Sequence, residues 1–205
     1  MTALIAGPDG KPRCHWCAAT PEYLLYHDRE WGFPVDDDFR LFDKLSLEGF
    51  QAGLSWRTIL TKRENFRKAF HGFDYNKVAK FTDKDVARLL QDEGIVRHRG
   101  KIEAVINNAK RVVELVKQEG SFAAYIWQFE PKLEQLAEPQ TASTSADSVA
   151  LSKALKKQGW KFVGPTTVYA FMQAMGMIND HAAGCVVRSK AASSRKKFQA
   201  PRHQT

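Results

Sequence analysis

No stretch of the sequence approaches the run of about eighteen apolar residues that a membrane-spanning helix requires, so no span is expected. The start, Met1 to Gly10, lacks the basic opening and apolar stretch of a secretory signal and carries Asp9 instead, which makes the cytoplasm the expected compartment. Cysteine is scarce: only Cys14, Cys17 and Cys185 are present. In a cytoplasmic protein, so few thiols point to metal binding or core packing before disulfides. No alternating apolar–polar run is long enough to force a sheet, and no unit recurs at a fixed period. From Arg188 to Thr205 there is no acid at all, although Arg188, Lys190, Arg195, Lys196, Lys197 and Arg202 fall there. Residues 188–205 therefore read as a basic, disordered tail, and residues 1–12 as a flexible extension.

Helical signals fill the space between. Pro34 and the acids Asp36 to Asp38 precede Phe39, Phe42 and Leu45, which are spaced three apart, as at a helix start with acids on the positive end of the dipole. Ile59, Arg63, Phe66 and Phe70 follow at helical spacing. Thr82 with Asp85 forms a shortened capping box ahead of Val86, Leu89 and Leu90, and Gly94 is expected to stop that helix. A long amphipathic helix is predicted from about Lys101 through Val116, and Ser121 is a cap for a short helix through Tyr125 and Trp127. Residues 130–145 are polar and contain Pro131 and Pro139, so they read as a long connection. Asp147 is the expected cap of a helix ending near Gly159, and Pro165 opens one that ends at Gly176. The fold class is all-α, one globule over residues 13–187.

Three groups of residues carry possible chemistry. The first is a set of thiols and imidazoles at the two ends: Cys14, Cys17 and His27 near the start, and His181 and Cys185 four residues apart near the end. Two cysteines and two histidines suit a closed tetrahedral zinc site. Cys14 and Cys17 could instead supply two ligands together, or a redox pair, although no thioredoxin-like pattern follows them. The second is the segment Gly159 to Thr167, a short turn with small residues opening straight into a helix. Its free backbone N–H groups, with Lys153, Lys156, Lys157 and Lys161 nearby, suit a phosphate oxygen. The formal net charge of +8 favours the same kind of partner. The third is Glu48, placed between an apolar helix face and Trp56, with Tyr23, Tyr26 and Trp31 upstream. A carboxylate among aromatic rings can accept hydrogen bonds from a base stacked between them.

The runs YHDREWG (26–32), LEGFQAGLSW (47–56), GIVRHRGKI (94–102), LSKALKK (151–157), KFVG (161–164) and NDH (179–181), followed by Cys185, occur in this order. Together they closely resemble the constitutive bacterial DNA-3-methyladenine glycosylases, over about Arg13 to Cys185. The resemblance implies an all-helical helix-hairpin-helix fold and a base-excision repair enzyme that flips 3-methyladenine out of alkylated double-stranded DNA. It would hydrolyse the N-glycosidic bond without a lysine nucleophile, acting as a monomer and leaving an abasic site and free 3-methyladenine. It implies one structural Zn²⁺ on Cys14, His27, His181 and Cys185, with Cys17 a spare thiol. Glu48 would read the base, Tyr26 would add a polar contact, Trp56 would stack, and Trp31 and Tyr23 would complete the wall. Lys161, Phe162, Val163, Gly164 and Thr166 would hold DNA phosphate, and Gln51, Gly53 and Leu54 would enter the duplex. Asp180 adjoins a metal ligand and is given no catalytic role. Without the resemblance, two other readings stand: a zinc-containing DNA-binding protein without activity, and a zinc hydrolase, which would need an open metal position.

Overall fold

The structure is a computed structural model that describes residues 4–202 other than 133 and 135. Among the described residues two short strands, β1 (Leu4–Ala6) and β2 (Pro12–Cys14), are followed by ten α-helices. These are α1 (Pro21–Arg29), α2 (Asp38–Gln51), α3 (Trp56–Ala69), α4 (Tyr75–Val78), α5 (Asp83–Gln91), α6 (Arg99–Glu119), α7 (Phe122–Trp127), α8 (Ala146–Lys157), α9 (Pro165–Ala174) and α10 (Val186–Lys197). Single 3₁₀ turns lie at His15–Ala19 and His71–Phe73. Among the described residues no helix is long and apolar enough to cross a membrane.

Helix α2 is the centre of the molecule, because every residue from Leu41 to Phe50 is buried. It packs against α3, α6, α7 and α9. A helix enclosed on all sides buries its polar positions too, and Asp43, Lys44, Ser46 and Glu48 are each under a tenth exposed. Such groups need partners inside the protein. Asp43 is paired with Arg67 at 2.7 Å and Lys44 with Glu48 at 2.6 Å. The apolar remainder joins a run of touching aromatic rings, Phe50, Phe66, Phe70 and Phe73.

The expected caps hold with small shifts. Asp37 accepts from the Arg40 N–H at 2.8 Å and starts α2, while Asp38 accepts from Phe122 and Ala123 at the start of α7. The Asp85 carboxylate accepts from the Thr82 N–H at 2.9 Å. Ser145, not Asp147, caps α8, and α5 ends at Gln91, before Gly94.

Both ends differ from expectation. Residues 4–14 are an antiparallel hairpin with Leu4 opposite Cys14, not a loose extension; Met1 to Ala3 lie outside the described residues. Arg13 ties it down, donating to Asp28 at 2.9–3.0 Å and to Asp9 at 2.5 Å. The basic stretch from Arg188 is helical as far as Lys197, not disordered, and residues 203–205 lie outside the described residues. Lys190, Lys196 and Lys197 are exposed, but Val187 and Ala191, four apart, are buried. Arg195 pairs with Glu130 and lies over Trp127, whose ring also packs on Phe198 at 4.7 Å.

Candidate active site and metal centre

Helix α2 carries Glu48 to a point where three other elements supply rings. A cavity of about 230 Å³ is lined by Trp16, Tyr23, Tyr26, Trp31, Glu48, Gln51, Trp56, Ala170 and Gln173. All five aromatic and acidic residues singled out in the sequence as base contacts therefore meet in one place. Tyr26 and Trp56 sit 5.4 Å apart, centroid to centroid, and Trp16 packs edge-on against Trp31 at 5.0 Å and Tyr23 at 5.7 Å. The rings make a slot, and Glu48 supplies its charged acceptor. Among the described residues Glu48 has one polar partner, Lys44. The Tyr26 hydroxyl accepts from Lys44 at 2.8 Å, and burial first, then the Glu48 charge, pushes its pKa well above 10.

Trp16, Ala170 and Gln173 were not expected from the sequence. Gln173 projects from α9, and its amide donates to Asp180 at 2.6 Å. Asp180 also accepts from the Gln140 N–H at 2.7 Å, and burial raises its pKa. It does not line the cavity; it fixes a residue that does.

A second hollow of about 200 Å³ adjoins the first, sharing Glu48, Gln51 and Ala170 with it, and continues past Ala52, Gly53, Leu54, Thr166 and Thr167. It links the aromatic slot to the loop after α2 and to the start of α9. Leu54, which lines this hollow, is 42% exposed, and Phe162 in the turn before α9 is 40% exposed. Gly53 has φ +78, which favours a residue without Cβ at the tip of the loop. Lys101 holds that loop from below: its ammonium donates to the carbonyls of Phe50 at 2.9 Å and Ala52 at 2.5 Å. It serves as a charged C-cap on α2. Lys101→Met is expected to lower stability by about 2–3 kcal/mol, since two carbonyls lose a charged donor. It should also weaken binding to DNA, read by denaturant unfolding and by titration with duplex.

The turn between α8 and α9 is built from backbone bonds to neighbours. Asn108 of α6 accepts from the Lys161 N–H at 2.9 Å and donates to the Lys161 carbonyl at 2.8 Å. Ser152 donates to the Val163 carbonyl at 2.6 Å. Val163 itself is 1% exposed, so its side chain is core and only its backbone N–H is available to a ligand. Gly164 is the N-cap of α9 and brings no capping side chain, leaving the first N–H groups of the helix open.

Cys14, His27, His181 and Cys185 form a buried group whose ligand atoms all lie within 4.8 Å of one another. They come from β2, α1 and the turn before α10. His27 Nε2 is 3.2 Å from His181 Nδ1 and 3.5 Å from Cys185 Sγ, and His181 Nδ1 is 3.8 Å from Cys185 Sγ and 3.9 Å from Cys14 Sγ. Each imidazole is oriented through its other nitrogen: His27 Nδ1 meets Asp28 at 2.8 Å, and His181 Nε2 donates to the Trp31 carbonyl at 3.0 Å. Outer partners of this kind accompany metal-binding histidines. Gly32, at φ +84, leaves room for them, because a Cβ there would stand 2.9 Å from His181 Nε2. These four residues could hold a metal ion. Cys17 is buried but outside the group.

The sequence matches the model of the methyladenine glycosylase family over residues 16–189. It is 50% identical over 179 residues to DNA-3-methyladenine glycosylase 1 of Escherichia coli K12, covering 84% of this chain and 95% of that one. It is 46% identical over 177 residues to a DNA-3-methyladenine glycosylase of Haemophilus influenzae, covering 84% and 96%. Among solved structures, a 3-methyladenine DNA glycosylase I superposes with TM-score 0.79 at 48% identity over 85% of this chain and 98% of that one. A 3-methyladenine DNA glycosylase I from Staphylococcus aureus, solved to show 3-methyladenine recognition, superposes with TM-score 0.79 at 36% identity over 92% and 97%.

Proposed function

Because this chain belongs to the methyladenine glycosylase family, we propose that it draws 3-methyladenine out of alkylated DNA into the Glu48 cavity and hydrolyses its N-glycosidic bond. It is a base-excision repair glycosylase, and its product is an abasic site. The observation that carries the placement of this chemistry is the meeting of Glu48 with Tyr26 and Trp56 in one aromatic slot that opens toward the α8–α9 turn.

The chemistry suits a pocket of this composition. Methylation at N3 makes the base cationic and weakens its bond to the sugar, so the leaving group needs little protonation. Extrusion costs a few kcal/mol, least for a damaged base, and stacking with hydrogen bonding offsets it. Trp56 supplies the stacking face, Tyr26 adds a polar contact, Tyr23, Trp31 and Trp16 close the wall, and Glu48 accepts from the base edge. Asp180 is turned to Gln173 and leaves the reacting carbon to water.

Outside the slot, Leu54 is the side chain of the Gln51–Leu54 loop that fills the gap left by the base. The α8–α9 turn acts as a helix-hairpin-helix phosphate clamp, with the N–H groups of Val163, Gly164 and Thr166 as donors and Lys161 adding positive field. Binding to duplex is expected to fall steeply with added salt, as log K against log salt with a slope of several units. A flat response in a fluorescence titration would remove the clamp.

The metal group is read as one structural zinc. Zinc–sulfur and zinc–nitrogen bonds of about 2.3 and 2.0–2.1 Å make tetrahedral edges of about 3.3 Å for N to N and 3.5–3.6 Å for S to N. The two His27 separations, 3.2 Å to His181 Nδ1 and 3.5 Å to Cys185 Sγ, match those edges, and His181 Nδ1 stands a few tenths of an ångström farther from the two sulfurs, at 3.8 and 3.9 Å. Cys14, His27, His181 and Cys185 would together fill a four-coordinate ion and leave no position for a reacting water, so the ion would stiffen the fold and take no part in the reaction.

The direct experiment incubates the protein with methylated duplex and measures free bases. Release of 3-methyladenine is expected; none above background would overturn the reading.

A further inference from the structure

Helix α10 borders a hollow that is separate from the base slot. A cavity of about 540 Å³, more than twice the volume of the slot, lies between α10, the turn after α9 and the connection after α7. It shares no described lining residue with the slot or with the hollow beside it. Its walls are mostly apolar, with Leu136, Met177 and Ala192 among them, and its volume falls in the usual range of ligand pockets, about 300–1,000 Å³. Val187 and Ala191 turn one stripe of α10 into the globule. Arg188, Ala192, Arg195 and Lys196, at helical spacing, form the neighbouring stripe, and all four line the cavity.

The charge on that stripe is only partly matched. Arg195 is held by Glu130 and by the rings of Trp127 and Phe198. Arg188 uses one nitrogen on the carbonyls of Asn179, at 3.1 Å, and His181. Among the described residues no carboxylate comes within ion-pair distance of Arg188 or Lys196. No acid occurs from Arg188 to Thr205, so the surroundings add positive field. Eight residues of helix separate Arg188 from Lys196, about 12 Å along the axis, with Ala192 midway. One small anion does not reach both cations. Duplex phosphates would meet them and leave the apolar hollow unfilled. An extended chain covers 12 Å in three to four residues, at roughly 3.3–3.6 Å each. A peptide with an acidic side chain, a free carboxylate about three residues later and an apolar side chain between or at its end therefore fits charge and cavity together.

We propose that this cavity is a docking site for the C-terminal end of an acidic peptide segment on a partner protein. The last apolar side chain enters between Met177 and Ala192, the terminal carboxylate meets the free nitrogens of Arg188, and an acidic side chain upstream meets Lys196. The family match ends at residue 189, so most of this stripe is an addition to the part of the chain that carries the slot. The site ties the enzyme to another protein without occupying the base cavity, and it stands independently of the reading of the slot.

The test is fluorescence anisotropy on the full chain at low salt with two labelled peptides, Gly-Asp-Asp-Ser-Leu-Phe and its charge-swapped form Gly-Lys-Lys-Ser-Leu-Phe, both with free C-terminal carboxylates. The native protein is expected to prefer the acidic peptide by at least about tenfold. Lys196→Glu should shift that ratio toward the basic peptide by at least about tenfold, since it reverses one charge on an exposed side chain. Ala192→Trp, which fills the cavity, should weaken both peptides by a similar factor, and amidation of the acidic peptide should weaken it about fivefold. Both variants should release 3-methyladenine from methylated duplex at the native rate. Should Ala192→Trp fail to fold, the Lys196→Glu ratio decides alone. No saturable binding of the acidic peptide by the native protein, or an unchanged ratio in Lys196→Glu, overturns the proposal. A loss of affinity for undamaged duplex in Lys196→Glu as large as its loss for the acidic peptide would give the surface to DNA and overturn it as well.

Discussion

Replacing Glu48 by Gln lowers the release of 3-methyladenine from methylated duplex on the order of a hundredfold per folded molecule. The carboxylate is the slot's one charged acceptor, and a charge-assisted hydrogen bond to a buried group is worth about 1.5–3 kcal/mol. Affinity for undamaged duplex stays near its native value, because the phosphate-facing turn lies on other elements. The same substitution carries a stability cost, since it leaves the Lys44 ammonium buried without its carboxylate at 2.6 Å. The double variant Lys44→Met with Glu48→Gln separates the two effects: it recovers much of the stability and none of the base release. Single-turnover release assays alongside urea unfolding measure both quantities. Full release by Glu48→Gln would remove Glu48 from the reaction.

Cys185→Ser is expected to empty the metal group and to cost on the order of 4–5 kcal/mol of stability, because metal binding free energy is folding free energy in such sites. For a domain of this size that corresponds to a fall in Tm on the order of 10–15 °C. Metal analysis and calorimetry on the same preparation should move together. Cys17→Ser, a change at a buried thiol outside the group, should leave metal content unchanged. Normal metal content in Cys185→Ser would break the assignment of the four ligands.

The helices of this protein are largely legible in its sequence, because their signals are local. Asp37, Ser121 and Pro165 mark starts through side chains or rings within one turn of the helix they serve. Errors fall where a distant contact decides. The basic stretch after Arg188 looks solvated by charge, yet Val187 and Ala191 are buried and Arg195 reaches Glu130. The strands at Leu4–Ala6 and Pro12–Cys14 are too short for alternation to show, and depend on the tie from Arg13 to Asp28.

The candidate site divides in the same way. Glu48, Tyr26, Trp56, Trp31 and Tyr23 were visible as an unusual concentration of an acid and rings, and they do line one cavity. Gln173 was not, because its place follows from how α9 crosses α2 and from its bond to Asp180. Lys44 did leave a signal: a Lys and a Glu four apart inside an apolar run can face each other only if the helix is buried around them. The metal group could not be settled by spacing, since His27 and His181 are 154 residues apart.

That separation bears on how the protein is made. The ring of Trp31 rests on His181 at 4.7 Å, and the imidazole of His181 donates to the Trp31 carbonyl, 150 residues earlier in the chain. A chain still emerging from the ribosome has long since exposed its first forty residues, but lacks the residue against which they settle. One side of the slot is therefore the last to be completed, and a truncated or stalled product would bring rings and carboxylate to the cell without an organised place to put a damaged base.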